Sequence, residues 1–275
     1  MKTLENQTLL YDEDCPLCHA YTAAFVKTGM LDNGGRMAFC KLTENELKFV
    51  DVRKAANEIA LIDRKNQTVT YGIDSLLKVI GNAFPWIEKT GHLKPVHFGL
   101  KKLYAFISYN RKVIIPGAEN PTRQLQCVPD FNVPYRLAYL LFAITITAAI
   151  LFEFAKMIPL LPQGNFSREI MLASGQLLFQ WLFLLHYDRK TIITYMGNLM
   201  TVSLMGSVLL IPIMVANQFV NVPGLVLNGW FGLVVLIMFL EHFRRVKLLK
   251  LPFYLCFTWI LYRIIALLLI LNLQS

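Results

Sequence analysis

Thr8-Leu9-Leu10-Tyr11-Asp12-Glu13-Asp14-Cys15-Pro16-Leu17-Cys18-His19 decides how the first half of the chain is read. Residues 8–11 form a short apolar run of the kind that makes a buried strand. Pro16 is suited to a first helical turn, where its missing N–H costs nothing, and Gly29 is a natural stop, so a helix is expected over 16–29. The two cysteines fall at the junction of strand and helix. There the unpaired amides and the positive end of the helix dipole favour thiolate over thiol at Cys15, the expected nucleophile. Two intervening residues bring Cys18 round on the same turn, placed to attack a mixed disulfide at Cys15, as the expected resolving thiol. Asp12 completes the candidate catalytic set, either accepting a proton during exchange or holding the turn by accepting backbone N–H bonds. Asp12, Glu13 and Asp14 together would raise the Cys15 pKa and oppose the dipole.

Working outward, Arg36 to Leu42 reads as a second strand, giving a βαβ beginning. Thr43-Glu44-Asn45-Glu46 has the capping-box pattern and opens a helix expected to run to about residue 57. Residues 58–63 and 68–71 flank Arg64-Lys65-Asn66-Gln67 as a hairpin, and a helix follows over 73–80. This order predicts an α/β thioredoxin-like domain.

Tyr11-Asp12-x-x-Cys15-x-x-Cys18 resembles the signature of the DCC family of thiol-disulfide oxidoreductases, named for that Asp-Cys-Cys spacing. Gly72-Ile73-Asp74-Ser75-Leu76-Leu77, Trp86 and Tyr104-x-x-x-x-Tyr109-Asn110-Arg111 are similar to later features of the family, so the resemblance covers roughly residues 7–115. It implies a thioredoxin-like fold and a redox label, without a particular substrate; membrane-fused versions exist. One departure from thioredoxins in general is that no proline precedes Glu58-Ile59-Ala60-Leu61, where they carry a proline that faces the dithiol and helps dock substrate.

Two rival readings use the same residues. Cys15-Pro16-Leu17-Cys18-His19 matches the pattern of covalent c-type haem attachment, a reaction that takes place outside the cytoplasm. A metal site at Cys15 and Cys18 would need two more ligands, for which Cys40, His92 or His97 would have to fold back. The leading expectation is no cofactor beyond the cysteine pair. Cys40 reads as a buried strand residue, Cys256 lies in an apolar span, and Cys127 is the remaining relay candidate.

The second half is of another kind. Hydrophobic residues make up 55% of the 275-residue chain and charged residues 16%, too oily for an ordinary soluble protein. Residues 1–136 hold 18 of the 27 Lys+Arg and 14 of the 18 Asp+Glu, which leaves only 9 and 4 for residues 137–275. An all-α polytopic membrane bundle is expected over 137–275, with five spans at 137–157, 170–187, 191–216, 223–243 and 252–272. The third is expected to bend at Pro212. The domains are then 1–96, a basic amphipathic and Pro-containing segment 97–136, and the membrane domain. Residues 89–123 carry Lys89, Lys94, Lys101, Lys102, Arg111, Lys112 and Arg123 against Glu119 alone, and 98–111 reads as an amphipathic segment able to lie on a membrane surface.

Arg136, Asp188-Arg189-Lys190 and Arg244-Arg245-Val246-Lys247 mark one basic side, which predicts a cytoplasmic N-terminal domain and a C-terminus on the opposite side. No apolar stretch of a signal peptide is expected at the N-terminus. The net charge of +9 is absorbed by membrane topology, so nucleic acid is not an expected partner; the lipid bilayer, a disulfide or thiol substrate and an electron donor are. Arg263, deep in the fifth span, is expected to pair with Glu153 in the first, and His186 and His242 are candidate haem or quinone ligands. The resulting expectation is a membrane-anchored dithiol-disulfide exchanger. The alternative is a transporter, sensor or assembly module whose cysteine domain senses redox state or binds metal.

Overall fold

The computed structural model describes residues 2–117, 125, 129–158 and 164–272. Two compact units divide at Tyr135 and Arg136, and residues 97–117 fall in the first.

The first unit is built on a four-stranded sheet of β1 (Gln7–Tyr11), β2 (Arg36–Ala38), β3 (Ala60–Asp63) and β4 (Thr68–Tyr71), in the order β2-β1-β3-β4. β1 runs parallel to β2, with Leu9 opposite Arg36, and antiparallel to β3, with Leu10 opposite Ala60; β3 and β4 are antiparallel. With helices α1 (Pro16–Lys27) between β1 and β2 and α4 (Ile73–Ala83) after β4, this is the expected thioredoxin-like arrangement. Because side chains alternate across a strand, Leu9 and Leu61 face a core shared with Leu31, Ile59 and Val79, while Leu10, Ala60 and Ile62 face one shared with Phe39, Val50 and Ala55. The sheet is thus covered on both faces.

Two elements differ from expectation. β2 stops at Ala38 because the chain turns through one 3-10 turn, Phe39–Lys41, that drops Phe39 into the core; Cys40 is therefore a half-buried turn residue and not a buried strand residue. The capping box at Thr43 is formed, but its helix α2 (Glu44–Leu47) ends early. Val50 then turns inward, and Asp51 starts α3 (Val52–Asn57) by accepting the Lys54 N–H at 2.9 Å. Gly72, at φ +64°, makes the turn from β4 into α4.

α5 (Pro85–Gly91) and α6 (Lys94–Ile114) follow. α6 presents two faces. Tyr104 Oη accepts the Ile59 N–H at 2.8 Å and Ser108 Oγ donates to the Asn57 carbonyl at 2.6 Å, so this side of the helix docks on the sheet end. Val96, Leu103 and Ile107 stay exposed, as a surface-lying amphipathic helix requires, but Arg111 is buried and is not a surface charge.

The second unit comprises α7 (Val133–Ala155), α8 (Phe166–Leu182), α9 (Arg189–Phe219), α10 (Gly224–Leu248) and α11 (Tyr254–Asn272). Among the described residues four helices, α7, α9, α10 and α11, are long and apolar enough to cross a membrane, which fits a multi-pass membrane protein. The expected second span corresponds to α8, whose 17 residues reach only about 26 Å and carry Arg168 and Glu169 in the first turn. Pro212 lies inside α9. Several buried polar groups pair between helices: Arg245 Nη1 donates to Asn198 Oδ1 at 2.9 Å, Thr258 Oγ1 to Gln180 Oε1 at 3.0 Å, and Tyr195 Oη meets His242 Nε2 at 3.0 Å.

The expected Glu153–Arg263 pair is not formed. Glu153 accepts at 2.7 Å from Lys156, just past the end of α7, and the Arg263 guanidinium lies 3.9 Å from the Trp259 ring centroid. Matching depth along two helices does not fix which way each side chain points.

Candidate active site

Cys15 caps α1 in extended backbone conformation, and Pro16 occupies the first turn. The Cys15 N–H donates to the Asp12 carbonyl at 3.2 Å and the Asp14 N–H to Asp12 Oδ1 at 3.1 Å, so the acidic loop is a wound turn that ends on the first cysteine. The Cys18 N–H donates to Cys15 Sγ at 3.4 Å. That is the helix N-terminus acting as an anion site, with sulfur in the place of a cap oxygen. The Thr22 hydroxyl donates to the Cys18 carbonyl at 2.8 Å and fixes the next turn.

Both cysteines are free thiols and buried, Cys15 at 1% and Cys18 at 5% exposure. Their acidities are driven apart. The Cys18 thiol donates to Cys15 Sγ, and with the Cys18 amide and the Arg111 charge it holds the Cys15 pKa well below that of an ordinary thiol, against burial and the Asp12 charge. The same bond, together with burial, pushes Cys18 well up. One sulfur is thereby prepared as thiolate and the other keeps its proton.

Asp12 and Arg111 complete the arrangement. Asp12 is buried, and burial raises its pKa against the lowering effect of Lys112 and Arg111. Arg111 Nη2 lies 3.6 Å and Lys112 Nζ 3.9 Å from Asp12 Oδ2, and Arg111 also donates to the Ala56 carbonyl at 3.1 Å. The last turn of α6 therefore brings two cations to the dithiol loop. Gly117, just beyond α6, packs directly against that loop: a Cβ there would meet the Asp14 carbonyl and Pro16 Cδ.

The three expected site residues are thus brought together. Arg111 is the neighbour that sequence reasoning assigned to a basic surface cluster; its place in the Tyr104–Arg111 motif was the available signal. His19 lies edge-on to Tyr11 at 5.7 Å, with its Nε2 3.1 Å from Arg36, so the ring of the C-x-x-C-H pattern is engaged with protein partners. The extra ligands considered for a metal at Cys15 and Cys18 are not gathered there: Cys40 Sγ donates to Glu13 at 3.4 Å, and His92 and His97 group with Asp74. Cys127 lies outside the described residues.

A β1–α1 junction carrying a hydrogen-bonded cysteine pair of divergent acidity, on this sheet order, narrows the comparison with known proteins. Residues 9–115 match the DCC1-like thiol-disulfide oxidoreductase family. The match begins within β1 and ends just past α6, so it includes both cysteines, Asp12 and Arg111 and stops short of α7. No curated protein and no solved structure matches the chain.

Proposed function

We propose that this protein is a membrane-anchored oxidoreductase that exchanges a dithiol for a disulfide through Cys15 and Cys18. The carrying observation is the Cys18 N–H donating to the buried Cys15 Sγ at the start of α1, beside Arg111. The Cys15 thiolate attacks a substrate disulfide, forming a Cys15–substrate disulfide and releasing one substrate thiolate. Cys18 then attacks Cys15 Sγ, releasing the second substrate thiolate and leaving a Cys15–Cys18 disulfide. Two electrons have passed from the dithiol to the substrate, and a donor dithiol returns them by the reverse steps. Asp12, made a better base by burial, takes the Cys18 proton in the second attack. Arg111 holds Asp12 and offsets the negative charge on sulfur.

The basic ends Arg136, Arg189–Lys190 and Arg244–Lys247 fall on one membrane side when α8 also crosses, and the positive-inside rule makes that side the cytoplasm. The reading then has the N-terminal domain in a reducing compartment, where the pair rests as a dithiol.

The test is a glutathione-buffer titration of the full chain in detergent micelles, with thiol counting by mass spectrometry. A reversible two-electron step at Cys15 and Cys18, with Cys18→Ser accumulating a mixed disulfide at Cys15, is the expected result. Failure of the pair to oxidise reversibly overturns the proposal.

A further inference from the structure

A second group of chemistry-bearing side chains lies away from the cysteines. Asp74 stands in the first turn of α4, His92 caps the end of α5, and His97 stands in the first turn of α6. Their ligand atoms all lie within 4.8 Å of one another. His97 Nε2 is 2.7 Å from Asp74 Oδ1, and the His92 and His97 rings stack with centroids 5.5 Å apart. We propose that Asp74, His92 and His97 bind one zinc-like divalent ion that clips α6 to α4.

Zinc accepts imidazole nitrogen and carboxylate oxygen at about 2.0–2.2 Å, so its ligand atoms sit roughly 3.3 Å apart in a tetrahedron. The Asp74–His97 pair is already closer than that, and rotation of the exposed His92 ring closes the set. The spacing His92-x-x-x-x-His97 lies within the range that zinc sites use on one chain segment. Two imidazoles and one carboxylate select a transition ion over magnesium or calcium, which prefer all-oxygen shells.

The backbones are fixed in advance of the ion. The His92 N–H donates to the Glu88 carbonyl at 3.0 Å and the His97 N–H to the Leu93 carbonyl at 2.8 Å, while the Ser75 hydroxyl, next to Asp74, donates to the Thr70 carbonyl at 2.6 Å. Side-chain exposure of 43% at Asp74 and 29% at His97 leaves the fourth position to water. The clip acts at the start of α6, the helix whose later turns carry Tyr104 to the sheet and Arg111 to the dithiol loop. Its role is to fix that helix, and it takes no part in the exchange chemistry.

The test is titration of metal-stripped full-length protein in detergent micelles with Co2+, read by visible d–d absorption, followed by Zn2+ competition. The expected result is one equivalent of tetrahedral Co2+ displaced by Zn2+, with no thiolate-to-cobalt charge-transfer band and no change in a Cys15→Ser/Cys18→Ser variant. His92→Ala and Asp74→Asn each weaken binding by more than about 100-fold, beyond the usual cost of losing an outer-shell partner. His92 is exposed, so its replacement leaves folding intact. Absence of the d–d bands overturns the proposal, as does a spectrum dominated by charge transfer that disappears with Cys15.

Discussion

Two buried tyrosine hydroxyls, one in each unit, make bonds of nearly equal length: Tyr104 Oη to the Ile59 N–H at 2.8 Å, and Tyr195 Oη to His242 Nε2 at 3.0 Å. Their worth differs because their unfolded references differ. Removing the Tyr104 hydroxyl strands a buried backbone amide that water would satisfy in the unfolded chain. A polar group released from a membrane bundle finds other partners in the bilayer, so its bond contributes less. The units also organise polarity differently. In the N-terminal unit Arg111 and Lys112 converge on Asp12 beside one pair of sulfurs, whereas in the second unit Arg245 with Asn198 and Thr258 with Gln180 join neighbouring helices.

The strongest way to break this contrast is at sulfur. Cys15→Ser is expected to reduce disulfide exchange to background while leaving the fold intact; residual turnover would move the chemistry elsewhere. Next comes Arg111→Met, which leaves the Asp12 carboxylate buried without its nearest cation and is expected to cost about 2–3 kcal/mol in denaturant unfolding, somewhat less than breaking a close buried pair. The same change raises the Cys15 pKa. In the native protein Cys15 alkylation should reach its maximal rate well below the pH of about 8.5 at which a free thiol is half ionised, because rising pH deprotonates the lowered thiol first; in Arg111→Met the profile moves to higher pH. An unmoved profile would remove Arg111 from the site.

Gly117→Val is expected to cost about 1–3 kcal/mol through crowding of the Asp14–Pro16 backbone, and to speed Cys15 alkylation by lifting the chain off the loop. Tyr104→Phe should cost about 1–2 kcal/mol, read in the same unfolding experiment. Tyr195→Phe should cost only about 0.6 kcal/mol, the mean for interhelical polar contacts, measured by unfolding in mixed micelles. Equal costs for the two tyrosines would erase the distinction drawn between the two solvents.

Much of the N-terminal architecture was legible because its signals are local. Pro16 after Cys15, the Thr43 capping box and the hairpin pattern each act within a few residues, and each forms as expected. β2 was overestimated because the demand for Phe39 in the core is a tertiary fact that outweighs the extended pattern through Leu42. Arg111 escaped for a related reason: a positive charge near a membrane segment reads as a headgroup contact until the path of α6 brings it to Asp12. In the membrane unit, hydropathy located the helices but not their facing directions, so Arg263 was paired with a carboxylate when it rests on Trp259.

The burial of Cys15 also sets a kinetic rule. A cysteine that is 1% exposed reacts only while the packing around it opens, so its observed rate is the intrinsic rate multiplied by the fraction of time open. At low reagent concentration the thiolate chemistry governs; at high concentration the opening step does, and the rate saturates. The cysteine pair is thus a clocked centre, with reactivity written in sulfur acidity and timing written in how often the packing around Cys15 opens.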